Sequence, residues 1–335
     1  MSKLDELIQK LCPNGVKFVE LNDLTVSLRK DTLTVDKLIE DGKYPVINSG
    51  RTFYGFYNDF NNEGDAITVA SRGEYAAFVN YSPSRFWAGG LCYPLRSKSN
   101  QLISTKFLYY YLKSKEKYMR ESIVAEGSIP ALNKADLMKI RIPVPPREVQ
   151  DEIVRILDNF TELTAELTAE LTAELTARKE QYNCYRNKLI DDVIGRKGKL
   201  IELLIQPVTD GPHTTPVLYK EGVPFISATA VYDGKVHLND MKGYISKEFD
   251  EECSRKYKPK KFDVYMVKSG STTGKVAIVD FDADFNIWSP LAALRTASET
   301  QAWYLYHLLQ TQNVQEQVFS RMSQGSQPNL SMIVI

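Results

Sequence analysis

Apolar positions recur every third or fourth residue from Arg147 to Ile194 (Ile153, Ile156, Leu157, Phe160, Leu163, Leu167), with no Gly or Pro between, and that period predicts one unbroken helix. About 45 residues at 1.5 Å each make a shaft of roughly 65 Å. Within it LTAELTAELTAELTA, Leu163 to Ala177, writes the unit TAEL three times, beginning at Thr164, Thr168 and Thr172. A repeat of four on a 3.6-residue helix advances about 40° per unit, so Leu163, Leu167, Leu171 and Leu175 turn slowly round the shaft beside Ala165, Ala169 and Ala173. Such a strip needs something packed along it, and read as a spacer it fixes the distance between what stands at its ends. A solvated low-complexity helix is the plainer alternative.

On either side the period changes to short alternating strands. A helix from Asp5 to Leu11 ends at Cys12-Pro13-Asn14-Gly15, a strand follows from Val16 to Leu21, turn clusters (Asp41-Gly42, Asn61 to Asp65) separate further strands, and a helix runs from about Thr105 to Glu121. The chain also repeats itself. YPVIN (Tyr44 to Asn48) matches VPFIS (Val223 to Ser227); DAITVAS (Asp65 to Ser71) before Gly73 matches DVYMVKS (Asp263 to Ser269) before Gly270. Trp87, Leu95 and Arg96 match Trp288, Leu294 and Arg295; FLYYYL from Phe107 matches WYLYHL from Trp303; EGSIPALN from Glu126 matches QGSQPNLS from Gln324; and KFVEL at Lys17 matches KLIEL at Lys199 as a strand. Blocks in one order at similar spacing mean a duplicated domain. The expected fold class is α+β, with two homologous mixed α/β domains (1–146 and 199–335) separated by a long coiled-coil-like spacer helix (147–198).

Composition fits that division, because 335 residues, 43% of them hydrophobic and 25% charged, can hold two cores of about 130 to 150 residues. No apolar run reaches the 18 or so residues of a membrane span, and MSKLDELIQKL carries acids where a signal peptide is apolar, so the expected location is cytoplasmic. Cys12, Cys92, Cys184 and Cys253 are scattered and read as reduced thiols. His213, His237 and His307 stand too far from carboxylates or cysteines for a metal site.

Net charge is zero, with 42 basic and 42 acidic residues, so local patterning carries the information. The loops of the first domain hold Arg29, Lys30, Lys43, Arg51, Arg72 and Arg85 with Tyr54, Tyr57, Tyr75 and Tyr81 among them, equipment suited to phosphates and base edges. Between Arg255 and Lys275 seven cations face one acid, Asp263. Lys258, Lys260, Lys261, Lys268 and Lys275 are candidate DNA contacts there, and KSGSTTGK sets Ser271, Thr272 and Thr273 between two lysines as a phosphate grip. His213, Thr214 and Thr215 in TDGPHTTP, and Lys235, complete the set. A nucleotide-binding P-loop is excluded, because three residues separate Gly270 from Gly274 where four are needed, and Val276 follows the lysine. No Gly-x-Ser-x-Gly elbow, Rossmann fingerprint or Asp/Asn-Pro-Pro-aromatic motif occurs, so catalytic residues are expected to be none.

Two diverged copies, each closing on G-S-x-P-x-L (Gly127 to Leu132, Gly325 to Leu330), with IRIPVPPREVQDEIVRIL running into the shaft and TDGPHTTP opening the second copy, resemble the specificity (S) subunit of type I restriction-modification enzymes. The tandem TAEL resembles one branch of that family. The resemblance covers nearly the whole chain. It implies target recognition domains, residues 22–125 for one half of a split asymmetric DNA site and 206–323 for the other, with the family's central conserved region as spacer. It also implies double-stranded DNA, two modification (methyltransferase) subunits and two restriction (motor/nuclease) subunits as partners and no membrane. No cofactor is implied in this chain, since S-adenosylmethionine, ATP and Mg serve those partners.

One feature departs from the family. After Leu330 five residues follow, and the distal helix that lies antiparallel to the central one in the family is missing, so the expectation is an incomplete chain, or a gap filled by a second copy or by modification subunits. Two rival classes stand beside the reader of DNA: a self-contained DNA adenine methylase, against which the missing motif argues, and a two-domain scaffold that binds no DNA.

Overall fold

Two short strands with alternating faces, Ala66–Ala70 and Val264–Val267, lie at the centres of two compact units, Met1–Glu170 and Leu171–Ile335. The structure is a computed structural model that describes residues 2–193, 198–323 and 328–332, with the backbone alone at 191–193. The first unit runs α1 (Lys3–Leu11), β1 (Lys17–Glu20), α2 (Leu21–Leu24), β2 (Thr25–Ser27), β3 (Tyr44–Ile47), β4 (Gly55–Tyr57), β5 (Ala66–Ala70), β6 (Val79–Ser82), β7 (Trp87–Ala88), β8 (Cys92–Ser97), α3 (Thr105–Ser114), α4 (Glu116–Ser122), α5 (Lys134–Met138), β9 (Arg141–Val144) and the start of α6 (Arg147–Val193). The second holds the rest of α6, then β10 (Thr209–Asp210), β11 (Val223–Ile226), β12 (Val231–Tyr232), β13 (Lys235–Val236), β14 (Gly243–Ile245), α7 (Lys247–Lys256), β15 (Val264–Val267), β16 (Val276–Ile278), β17 (Asn286–Ile287), β18 (Leu291–Leu294), α8 (Glu299–Leu309) and α9 (Gln312–Ser320).

Alternation decides what each face buries. Ile67 and Val69 meet Leu95, Leu108, Leu112 and Met119 on the helical side, while Ala66 meets Ile47, Phe86, Ala88 and Cys92 on the other. In the second unit Val264 and Met266 pack with Leu294, Ala302, Leu305 and Leu309, and Tyr265 and Val267 pack with Ile226, Phe285 and Ile287. Each unit is thus a small central sheet between helices and a three-stranded sheet.

The two topologies repeat pairing for pairing. β5 is antiparallel to β6 and β8, β8 to β2, and β3 is antiparallel to β4 but parallel to β7; β15, β16, β18, β10, β11, β14 and β17 reproduce these relations in order. The ladder register corrects two of the letter matches. Ile67 stands opposite Leu95 as Val264 stands opposite Leu294, so Asp65 corresponds to Phe262, not Asp263, and both have positive φ (53° and 68°). Gly89 N–H donates to Ile47 O (2.8 Å) as Trp288 N–H donates to Ile226 O (2.9 Å), so Trp288 occupies the place of Gly89 rather than Trp87. A slip of one residue would exchange the faces, which is why burial and not identity of letters sets the match. The β12–β13 hairpin, paired to β16, enlarges the second sheet to six strands.

Two expected elements differ. The helix anticipated over Thr105 to Glu121 breaks at Lys115, whose N–H turns to Leu112 O (3.0 Å), and Glu116 leaves the helix line to accept Val79 N–H (2.6 Å) and Lys113 Nζ (2.7 Å). KLIEL forms a 3-10 turn, Leu200–Leu203, instead of a strand. Its counterpart β1 is a strand because β9 pairs with it, and no described segment does so for 199–203.

The shaft is one helix, and Ile194 lies outside the described residues. Its first turns are anchored by buried Gln150, which accepts Ser104 N–H (3.0 Å) and donates to Leu102 O (2.9 Å) and Pro145 O (2.8 Å). Toward its far end Tyr182 meets His307 Nδ1 (3.1 Å) and Arg186 donates to Gln310 O (2.6 Å). Between them Leu163, Leu167, Leu171 and Leu175 are 55–59% exposed, so nothing among the described residues covers the leucine strip.

Candidate nucleic-acid interface

Four loops of the first unit meet at one end of its sheets and are tied by side-chain and main-chain contacts. Lys30 Nζ donates to Gly90 O (3.0 Å), Leu91 N–H to Asn48 Oδ1 (2.8 Å), Ser71 N–H to Leu91 O (2.9 Å), and the Arg51 guanidinium lies 4.9 Å from the Tyr75 ring centre. The G-S-x-P-x-L element straps this junction from outside, with Gly73 N–H on Pro130 O (2.9 Å) and Leu132 N–H on Ser71 O (2.8 Å). Arg29, Lys30, Arg51, Arg72 and Tyr54 are exposed here, joined by Phe53 (52% exposed), which the sequence reading missed although it lies beside Tyr54. Lys43 and Arg85 belong to a separate cluster at the starts of β3 and β7, where Lys43 lies by Tyr44 and Arg85 stacks on Phe60 and pairs with Glu63 (2.8 Å). Tyr57 and Tyr81 are packed inward, Tyr57 against Trp87 and Tyr81 donating to Asp65 (2.9 Å).

The equivalent junction of the second unit is built on Asp210, 5% exposed, at the end of β10. Its Oδ1 accepts Lys256 Nζ (2.6 Å), and its Oδ2 accepts Lys268 Nζ (2.7 Å) and faces His213 Nε2 (3.1 Å). Burial pushes this carboxyl up, but the hydrogen bonds and charges of the two lysines outweigh burial and hold it below the ordinary carboxylate range. The same strap recurs, with Gly270 N–H on Pro328 O (3.0 Å) and Leu330 N–H on Lys268 O (2.7 Å). Gly325, Ser326 and Gln327 of that element lie outside the described residues.

Several candidates change character in this setting. Lys268 is not a free contact: its side chain is 9% exposed and spent on Asp210. Thr273 is buried, and its hydroxyl donates to Gly270 O (2.8 Å) and Pro328 O (3.3 Å), so it closes the loop instead of gripping a phosphate. The amides of Gly270, Thr273, Gly274 and Lys275 also bond to main-chain oxygens, leaving Ser271 and Thr272 at the tip. The excess of positive charge over 255–275 is largely met from elsewhere in the chain: Lys258 pairs with Asp250 (2.9 Å) and Asp284 (2.5 Å), Lys261 with Asp282 (3.3 Å), and Lys256 with Asp210. Lys235 pairs with Asp280 (3.4 Å). Arg255, Lys260 and Lys275 are exposed, as are His213, Thr214 and Thr215. Exposed pairs such as Lys261–Asp282 cost little to open and can exchange an acid for a phosphate, whereas the interior Lys268–Asp210 pair cannot.

Burial pushes the thiols of Cys92 and Cys253 up, to about 12 and about 11, so neither is a thiolate near neutrality. Among the described residues no group of three His, Cys, Asp or Glu could hold a metal ion, and no described helix is long and apolar enough to cross a membrane.

Fold and junctions together define a class of protein: a duplicated α+β binder whose paired loop clusters present cations and aromatics. Residues 13–177 match the family model described as type I restriction modification DNA specificity domain. The putative type I restriction enzyme specificity subunit S.HindORF215P of Haemophilus influenzae is 34% identical over 267 residues, 73% of this chain and 66% of the relative. The EcoR124I/EcoR124II specificity subunit of Escherichia coli is 28% identical over 287 residues, 79% of this chain and 67% of the relative. This chain thus spans about two thirds of their length. A solved chain described as "Structural basis underlying complex assembly and conformational transition of the type I R-M system" aligns over 96% of this chain and 84% of its own, with a TM-score of 0.58 at 15% identity, which shows a common fold. Residues 13–177 thus carry a type I restriction modification DNA specificity domain, and the chain as a whole is similar to specificity subunits of type I restriction enzymes.

Proposed function

We propose that this chain is a non-catalytic reader of DNA, with unit 1 reading one half of a split asymmetric site and unit 2 the other. One observation carries the reading: two units with the same strand pairings hold different side chains at equivalent places of the same loop junction. By ladder position Arg29 corresponds to Asp210, Ser71 to Lys268, and Gly89 to Trp288, over which Lys242 lies at 3.5 Å from the ring centre. A common frame with diverged tips suits two different half-sites, since phosphate contacts can be shared while base contacts must differ.

On this reading the chain binds two modification subunits, which use S-adenosylmethionine, and two restriction subunits, which use ATP and Mg; it holds no cofactor itself and works in the cytoplasm. The shaft, with the TAEL repeat of one branch of the family, sets the gap between the half-sites. One unit adds about 6 Å, close to 1.8 base pairs at about 3.4 Å each, and the mismatch of about 40° of helix against about 60° of duplex is taken up by slight twist in protein or DNA. The test of the reader itself is a footprint of the assembled methylase on a random duplex library. Protection of one split sequence with salt-sensitive affinity supports it; protection of an unsplit sequence, or none above scrambled DNA, refutes it.

A further inference from the structure

The acid at the centre of the second junction is out of place on a surface meant for DNA, and its surroundings give it a purpose. Asp210 is buried, and of the three basic groups on its carboxylate one, Lys268, is buried with it, while the side chains of Lys256 and His213 are 56% and 72% exposed. Lys268 offsets the charge; the other two rest Lys256 Nζ and His213 Nε2 on the carboxylate while more than half of each side chain stays open to solvent. The chain is pinned at this point as well, because a Cβ on Gly211 would lie 2.0 Å from Ile287 O, and Ser289 N–H reaches Pro212 O (3.3 Å). At the equivalent place the first unit carries Arg29, an exposed cation mounted directly on the backbone.

We propose that Asp210 is a positioning residue for DNA recognition by unit 2: it aims Lys256 and His213 at the half-site, so an acid in the interface strengthens binding. The inference rests on unit 2 being a reader of DNA. A free lysine side chain loses rotamer entropy when it binds, and tethering it beforehand removes part of that cost from the binding step. Both units then present a cation from one backbone position, unit 1 by an arginine in the chain, unit 2 by an acid that holds Lys256 and, from its own loop, the imidazole of His213.

The test uses the full chain assembled with its modification subunits and a duplex carrying both footprinted half-sites, with either half scrambled in turn. Asp210→Asn is expected to weaken binding of the full site about tenfold and to erode the preference for the intact unit 2 half-site, leaving the preference at the unit 1 half-site unchanged. Equal or tighter binding, the outcome expected from simply removing a negative charge, overturns the proposal. The double variant Asp210→Asn, Lys268→Met removes both buried charges and guards against loss of fold. It is expected to keep a thermal midpoint near the wild type while lacking the unit 2 preference, and recovery of that preference would show a merely structural role and also overturn the proposal. If the wild-type assembly itself shows no preference at that half-site, the reading of unit 2 as a reader fails instead.

Discussion

Lys260 and Lys268 stand eight positions apart and have opposite fates. Lys260 is exposed with no acid on its side chain among the described contacts, whereas Lys268 is sealed against Asp210. Lys260→Ala is therefore expected to leave the thermal midpoint unchanged and, if Lys260 meets a phosphate, to reduce the slope of log K against log salt by about one; Lys268→Met is expected to lower the midpoint, because it leaves a buried carboxylate short of one partner. Differential scanning and salt titration separate the two. The sequence displayed the cations but not their acids, which arrive from positions 210, 250 and 280–284 and are brought in only by the fold. Trp288 likewise looked equivalent to Trp87 by letter, and only the bond to Ile226 O showed that it fills the place of a glycine.

Helices and strands were legible wherever period and burial agreed. The capping box at Ser2 and Asp5 starts α1, Ser104 caps α3, and a run free of Gly and Pro gave the shaft its start at Arg147. The break at Lys115 and the 3-10 turn at Leu200–Leu203 were not legible, since each depends on a partner distant in sequence: β6, whose Val79 takes Glu116, in one case, and the lack of a described partner strand in the other. α1 is held to the foot of the shaft by Lys3, whose Nζ lies 2.9 Å from Glu152; Arg155 (2.6 Å) completes the cluster. Hydrogen bonds from Arg155 and then Lys3 hold Glu152 down to about 2. A depressed carboxyl contributes stability above its unfolded value, near 4.3 by reference peptides, and loses it as pH falls toward 2. Glu152→Gln is expected to flatten the fall of the thermal midpoint between about pH 4.5 and 2, measured against the wild type; an unchanged acid limb would mean the pair contributes nothing.

At the scale of the whole chain, the duplication was visible in the sequence as blocks in order, and the strand pairings repeat with it down to the strap at Pro130 and Pro328. Its function is less visible there, because a net charge of zero hides two local junctions that differ in how they present cations. With zero net charge, we expect modest grip by this chain alone. The assembly with modification subunits is expected to bind a split duplex more tightly than the isolated chain does at the same salt, and titration of both at several salt concentrations checks this.

The central claim is mechanical, that the length of the shaft sets the gap between two half-sites. It is tested most directly by binding the assembled methylase to duplexes whose half-sites are moved apart one base pair at a time, for the wild type and for a variant lacking Thr164 to Leu167. The account predicts a preferred gap shorter by about one or two base pairs in the variant. An identical preferred gap, or equal affinity at every gap, would contradict it.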